Sequence, residues 1–100
     1  MNVIIGNRDE NKVLTIAVEG SIDTVTSSDF ENNVINALDD ATKLIIDFEK
    51  VDYVSSAGLR TILLLNEKMD ELNGMVIKNI NEDVREVFEM TGFDELLNIE

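Results

Sequence analysis

Six residues near the middle of the chain, Lys43-Leu44-Ile45-Ile46-Asp47-Phe48, constrain the fold more than any other segment. The run is too short for a stable helix and lies between two stretches whose apolar residues recur at helical spacing. A short apolar run between helices suits a strand buried on both faces of a parallel sheet, where each strand is followed by a crossover helix. Before it, Phe30, Val34, Ala37, Leu38 and Ala41 mark one face of a helix, and Ser28 with Glu31 three residues later fits a capping box, with Ser28 as N-cap. After it, a loop over Glu49–Ser55 leads to a second helix from about Ser56 to Leu72, with Leu59, Ile62, Leu63, Met69 and Leu72 as its inner stripe.

The flanking segments repeat the alternation. Val3–Ile5 and the β-branched run Val13–Val18 read as two strands of a hairpin, joined through Gly6-Asn7-Arg8-Asp9-Glu10-Asn11, and Gly20-Ser21-Ile22-Asp23 reads as a loop. Asn73-Gly74 stops the second helix and Met75–Ile80 forms another strand. Asn81 caps a third helix with Val84, Val87 and Phe88 facing inward, Gly92 ends it, and the tail through Leu96-Leu97-Asn98-Ile99 has the makings of a last short strand. The order β-β-α-β-α-β-α predicts an α/β fold with a mostly parallel mixed sheet and packed helices, the first strand antiparallel to the second. Right-handed crossovers then gather partner sites at the carboxyl ends of the parallel strands, where Gly20–Asp23 and Asp52–Gly58 lie.

Composition removes several functions. The chain of 100 residues contains no Cys and no His, which excludes disulfides, thiolate chemistry and Ser-His or Cys-His nucleophile pairs, and removes the commonest zinc ligand. Its net charge of −13 repels nucleic acid. Residues 81–100 hold seven acids and one base, Arg85, a distribution that keeps a surface solvated and can also steer the chain toward a basic protein. No signal segment and no run long enough for a membrane span is present, so the expectation is a complete cytoplasmic protein with no membrane partner, folded as one domain over 1–100. No cofactor motif is present, and a glycine-rich phosphate loop is missing. An enzyme with Ser55 or Ser56 as nucleophile would lack a base, since Lys43, Lys50 and Lys68 form no pairing motif and the Gly-x-Ser-x-Gly elbow is absent.

The chemistry concentrates in Asp52-Tyr53-Val54-Ser55-Ser56-Ala57-Gly58-Leu59-Arg60, which follows a strand and opens a helix. Ser56 stands where an N-cap is expected, and a phosphate there would meet free backbone N–H groups and the positive end of the helix dipole. Gly58 leaves room for close approach of another backbone. Arg60, four residues on, shares a helix face with Ser56. Leu64 and Leu65 read either as core or as an apolar patch for a partner.

These residues resemble the signature of STAS domains, above all the stand-alone anti-sigma-factor antagonists. The resemblance rests on Leu44-Ile45-Ile46-Asp47-Phe48 followed by Val51–Arg60, on Gly20-Ser21-Ile22-Asp23 before the first helix, and on Val84, Val87, Phe88, Met90, Thr91, Gly92 and Phe93 late in the chain. Ser55 stands where many members have Asp, and Ala57 where many have Ser. The resemblance implies a small single-domain STAS-like fold and a non-enzymatic regulator of transcription. Its unphosphorylated form would bind an anti-sigma factor with serine kinase activity and so free the sigma factor. Phosphorylation at Ser56, or less favourably Ser55, would break the complex, and a serine phosphatase would reset it. The partner-binding residues implied are Asp23, Ser55, Ser56, Gly58 and Arg60. A scaffold of a stress-signalling complex is the alternative role.

Overall fold

The computed structural model describes residues 1–100 and contains β1 (Asn2–Arg8), β2 (Val13–Ile22), α1 (Ser27–Leu38), β3 (Lys43–Val54), α2 (Ser56–Asp70), β4 (Met75–Lys78), α3 (Glu82–Thr91), α4 (Phe93–Leu96) and β5 (Asn98–Ile99). The strands form one sheet in the order β1-β2-β3-β4-β5, antiparallel between β1 and β2 and parallel thereafter. The expected strands, the hairpin and the last short strand are therefore present.

The central strand is not buried on both faces. Leu44, Ile46 and Phe48 have no exposed surface, while Ile45 and Asp47 between them are half-buried. The cause is topological. Consecutive strands stand side by side, so every right-handed crossover turns the same way and every helix lands on the same face. That face carries a cluster of 22 buried apolar residues, with Phe30 and Val34 of α1, Ile62, Leu65 and Met69 of α2, and Val84 and Phe88 of α3 packed onto the strands. The rings of Phe48 and Phe88 meet at 6.4 Å between centroids, tilted by 50°. The other face is open.

Three segments expected as turn or loop are strand. Gly6-Asn7-Arg8 continues β1, Gly20-Ser21-Ile22 continues β2, and Glu49–Val54 continues β3. All three carry turn-like residues because the ladder is irregular there, with a register shift between Ile5 and Arg8 in β1. Pairing steps from Ala17↔Asp47 to Glu19↔Lys50, and from Gly20↔Val51 to Ser21↔Tyr53, so β3 holds an extra residue at each step. These bulges change the inward spacing of β3 from two (Leu44, Ile46, Phe48) to three (Phe48, Val51, Val54), which hides the strand from a period-two reading. Gly20, on β2 beside the second register shift, has a backbone φ of +101° that favours glycine.

The helix ends were partly misread. α1 begins at Ser27 after Thr26 rather than at a Ser28 cap, because helical bonding starts earlier: the Ser27 N–H donates to the Asp23 carbonyl at 2.8 Å and the Phe30 N–H to the Thr26 carbonyl at 2.9 Å. α2 ends at Asp70, leaving Leu72 50% exposed, and its inner stripe runs through Leu65 instead of Leu63. Asn81 does cap α3. Its side-chain oxygen accepts from the Val84 N–H at 2.8 Å, and its amide donates to the Val51 carbonyl at 2.9 Å, tying α3 to β3. Gly92 ends α3 at φ +77°.

A one-sided sheet makes neighbouring isoleucines unequal. Ile46→Ala should cost about 2–5 kcal/mol in urea unfolding, and Ile45→Ala, on the open face, a minor fraction of that; equal costs would mean that both faces are covered.

Candidate functional site

The site lies where β2 and β3 end together. Ser21 is paired with Tyr53 and Ile22 with Val54, and the Ser55 N–H donates to the Ile22 carbonyl at 2.9 Å. The turn after β2 and the start of α2 are thus stitched to each other by a backbone bond.

Asp23 builds the first of these segments. Its Oδ1 accepts from the backbone N–H groups of Val25 and Thr26, both at 2.9 Å. The Asp23 N–H donates to the Thr26 hydroxyl at 2.9 Å. That hydroxyl lies 2.8 Å from the Ser21 carbonyl and 3.1 Å from Asp23 Oδ1, and its single proton goes to one of them. The Thr26 N–H, helped by the Thr26 hydroxyl and the Val25 N–H, holds the Asp23 carboxyl below the ordinary aspartate range against a smaller opposing effect of desolvation. Asp23 is therefore a carboxylate committed to holding its own turn. Thr26 was not anticipated; the Asp-x-x-Thr spacing was the signal for it.

The second segment corrects the expected cap. Ser55, not Ser56, is the N-cap of α2, with an extended backbone and its Oγ accepting from the Gly58 N–H at 3.1 Å. Ser56 is the first helical residue; it is exposed, and its hydroxyl is left out of the capping bond. The two adjacent serines thus differ in kind, one engaged with the backbone and one presented to solvent beside unpaired N–H groups of a helix N-terminus.

Gly58 is buried. A Cβ there would stand 2.4 Å from the Ile22 carbonyl oxygen, 2.9 Å from Ile22 Cγ2 and 3.0 Å from Val54 Cγ1. Its place in the motif is to let α2 sit against the end of β2, and the surface around it is made by its neighbours. Arg60 is exposed and enters none of the chain's five ion pairs. It stands in Tyr53–Asn66, the longest stretch without an acid in a chain with 21 acids. Exposed apolar groups stand on the same segments: Val25 at 86% in the Asp23 turn, Tyr53 at 53% at the end of β3 and Leu64 at 48% on α2, whereas Leu65 is core. Of these, sequence reasoning found only Leu64, because exposure of Val25 and Tyr53 depends on where the two strands end.

These loops enclose no pocket. The one cavity, of about 250 Å3, lies on the open face of the sheet among Ile4, Ala17, Val18, Glu19, Asp47, Glu49 and Lys50, away from Ser56. No group of acidic side chains is arranged to hold a metal ion, and no helix is long and apolar enough to cross a membrane. The site therefore presents an exposed serine beside the Asp23 turn without an enclosed pocket, and the fold beneath it is a small α/β domain with one face of its mixed sheet covered. Comparison with known proteins gives the family: the STAS domain model matches residues 6–100, and the chain belongs to that family. It is 30% identical over 83 residues, 81% of this chain and 72% of the relative, to BtrV of Bordetella bronchiseptica, described as a candidate anti-sigma factor antagonist. The crystal structure of an anti-sigma factor antagonist from Mycobacterium paratuberculosis superposes with a TM-score of 0.82 at 24% identity, covering 98% of this chain and 85% of that one. The Bacillus cell fate determinant SpoIIAA in its phosphorylated form superposes with a TM-score of 0.72 at 18% identity, covering 99% and 91%.

Two outcomes follow from this geometry. Gly58→Ala forces β2 and α2 apart and should cost about 1–3 kcal/mol, read as a fall of about 4–8 °C in thermal midpoint per kcal/mol. The lowered Asp23 carboxyl contributes stability above its unfolded pKa, and that contribution is lost as pH falls through the folded one. Acid titration of stability should accordingly be shallower in Asp23→Asn below about pH 4, while a titration identical to the parent would remove Asp23 from the account.

Proposed function

We propose that this protein is an anti-sigma factor antagonist whose unphosphorylated form binds an anti-sigma factor through the surface around Asp23, Ser56 and Arg60. That partner transfers the γ-phosphoryl group of ATP to the Ser56 hydroxyl, and the complex dissociates; a serine phosphatase returns Ser56 to the free hydroxyl. The observation that carries this reading is the division of labour between the serines. Ser55 is held as a cap by Gly58 and Ser56 is free at the head of α2.

The physical case for a switch is electrostatic. Phosphate adds about −1.5 to −2 charge and three acceptor oxygens. At the first position of α2 it is favoured by the helix N-terminus by about 0.3–1 kcal/mol, so the fold tolerates it. The interface does not. Arg60, one turn along the same face and without an acidic partner, is the nearest cation on the helix for the phosphate to engage, which withdraws it from a bound protein. The dianion would also have to be desolvated against a surface fitted to a hydroxyl, beside the Asp23 carboxylate. Like-charge juxtaposition at an interface costs several kcal/mol, and each ~1.4 kcal/mol is tenfold in affinity.

Titration calorimetry with a purified anti-sigma factor from the same cell tests this. Ser56→Ala should bind like the parent, Ser56→Asp at least tenfold more weakly, and Arg60→Glu more weakly than the remote reversal Lys12→Glu. Affinity should fall as salt rises, since exposed charges are screened over about 8–10 Å at physiological ionic strength. Full affinity in Ser56→Asp would reject the switch.

A further inference from the structure

The two edges of the sheet are unlike. β5 is two residues long and is flanked by the Lys78–Glu100 pair at 3.7 Å. Short, charged edges resist pairing with other strands. β1, at the opposite edge, is seven residues long and has a partner on one side only. Asn2-Val3-Ile4-Ile5-Gly6-Asn7 contains no charge and no proline, and Ile4 and Ile5 are 47% and 48% exposed. The single protective feature is a register shift between Ile5 and Arg8.

Charge decides what can lie against it. Two copies of a chain carrying −13 repel each other over most of their surface, and the acid-rich residues 81–100 build the β5 side. The β1 side is the exception. Met1–Arg8 holds no acid, and three of the nearby acids are matched, Arg8 with Asp39 and Asp40 at 3.5 and 3.0 Å, Lys12 with Asp40 at 3.7 Å, and Lys50 with Glu19 at 3.4 Å, whereas Asp9 and Glu10 beyond the strand and Asp47 and Glu49 on the open face enter no ion pair. Along Asn2–Asn7 a charged strand would find no side chain of opposite charge. An uncharged, apolar strand would be matched there, and β1 itself is such a strand.

We propose that β1 pairs with β1 of a second copy, antiparallel, to join two five-stranded sheets into one across a two-fold axis. In such a pair opposite residues share a face, so the axis must pass through a residue rather than between two. Centring on Ile4 sets Ile4 against the second copy's Ile4 on the open face, and Val3 against the second copy's Ile5 on the helix side. Centring on Val3 would set Ile4 against Asn2. Ile4 is the register that matches apolar groups and stays on the near side of the bulge. The contact is small beside the roughly 1,200–2,000 Å2 of a stable interface, which makes the dimer a weak one.

Sedimentation equilibrium over a wide concentration range, at low and high salt, should show a monomer–dimer equilibrium that strengthens with salt, the opposite sign to partner binding. Ile4→Lys should raise the dissociation constant at least tenfold with an unchanged thermal midpoint. Because the chain has no cysteine, Ile4→Cys places a single thiol on the two-fold axis. Directly opposed residues of antiparallel strands lie about 4.5–5.5 Å apart between Cα atoms, within disulfide reach. Mild oxidation should therefore cross-link Ile4→Cys faster than Met90→Cys, whose site is 79% exposed. A monomer at every concentration, a dimer indifferent to Ile4→Lys, equal cross-linking of the two cysteine variants, or growth into larger oligomers would each overturn the proposal.

Discussion

The backbone bond from the Ser55 N–H to the Ile22 carbonyl is the contact on which the functional surface depends. It exists because β2 and β3 run parallel and stop at the same level, although β3 needs two more residues than β2 to do so. The bulges absorb that difference and turn the strand ends into a common rim. Gly58 then lets α2 start directly on that rim. A side chain at position 58, or loss of a bulge, would move Ser56 relative to the Asp23 turn without touching either residue.

The second governing constraint is that all the helices lie on one side of the sheet. Apolar volume is concentrated there in a single cluster, and the remaining surface is free to carry charge. That charge is arranged unevenly. The acids crowd residues 81–100, while the head of α2 and the β1 edge carry none. In a chain this acidic, acid-free stretches offer another protein the least like-charge repulsion. They lie at different places on the molecule, one at the strand ends and one at a lateral edge, and the two proposed associations are expected to respond to salt in opposite directions.

Much of this was legible in the residues. The apolar run at Leu44–Phe48, the hairpin Val3–Val18 and the cap at Asn81 are readable as strands, a turn and a helix start from the residues alone, and Ser55–Gly58 stands out as the candidate segment. The failures have local physical causes. Gly20 and the Glu49–Val54 stretch resemble turns because bulges use the residues turns use. Ser28 with Glu31 satisfies the pattern of a capping box, but the Asp23 and Thr26 carbonyls already accept from the Ser27 and Phe30 N–H groups, which puts Ser28 inside the helix. Ser56 was placed one position too early in its role because two adjacent serines are equivalent until the backbone shows which one reaches the Gly58 N–H. Burial of the central strand was overstated because an apolar run does not reveal how many of its faces the crossovers cover.

The central claim is that the two serines have separate tasks, Ser55 closing the helix and Ser56 accepting phosphate. Site-resolved mass spectrometry after incubation with the cognate kinase and ATP tests it most directly, applied to the parent chain, Ser55→Ala and Ser56→Ala. The account predicts phosphate on Ser56 in the parent, continued incorporation in Ser55→Ala with the stability loss of about 1 kcal/mol expected for a missing cap, and none in Ser56→Ala. Phosphate on Ser55 in the parent, or undiminished incorporation in Ser56→Ala, would contradict it.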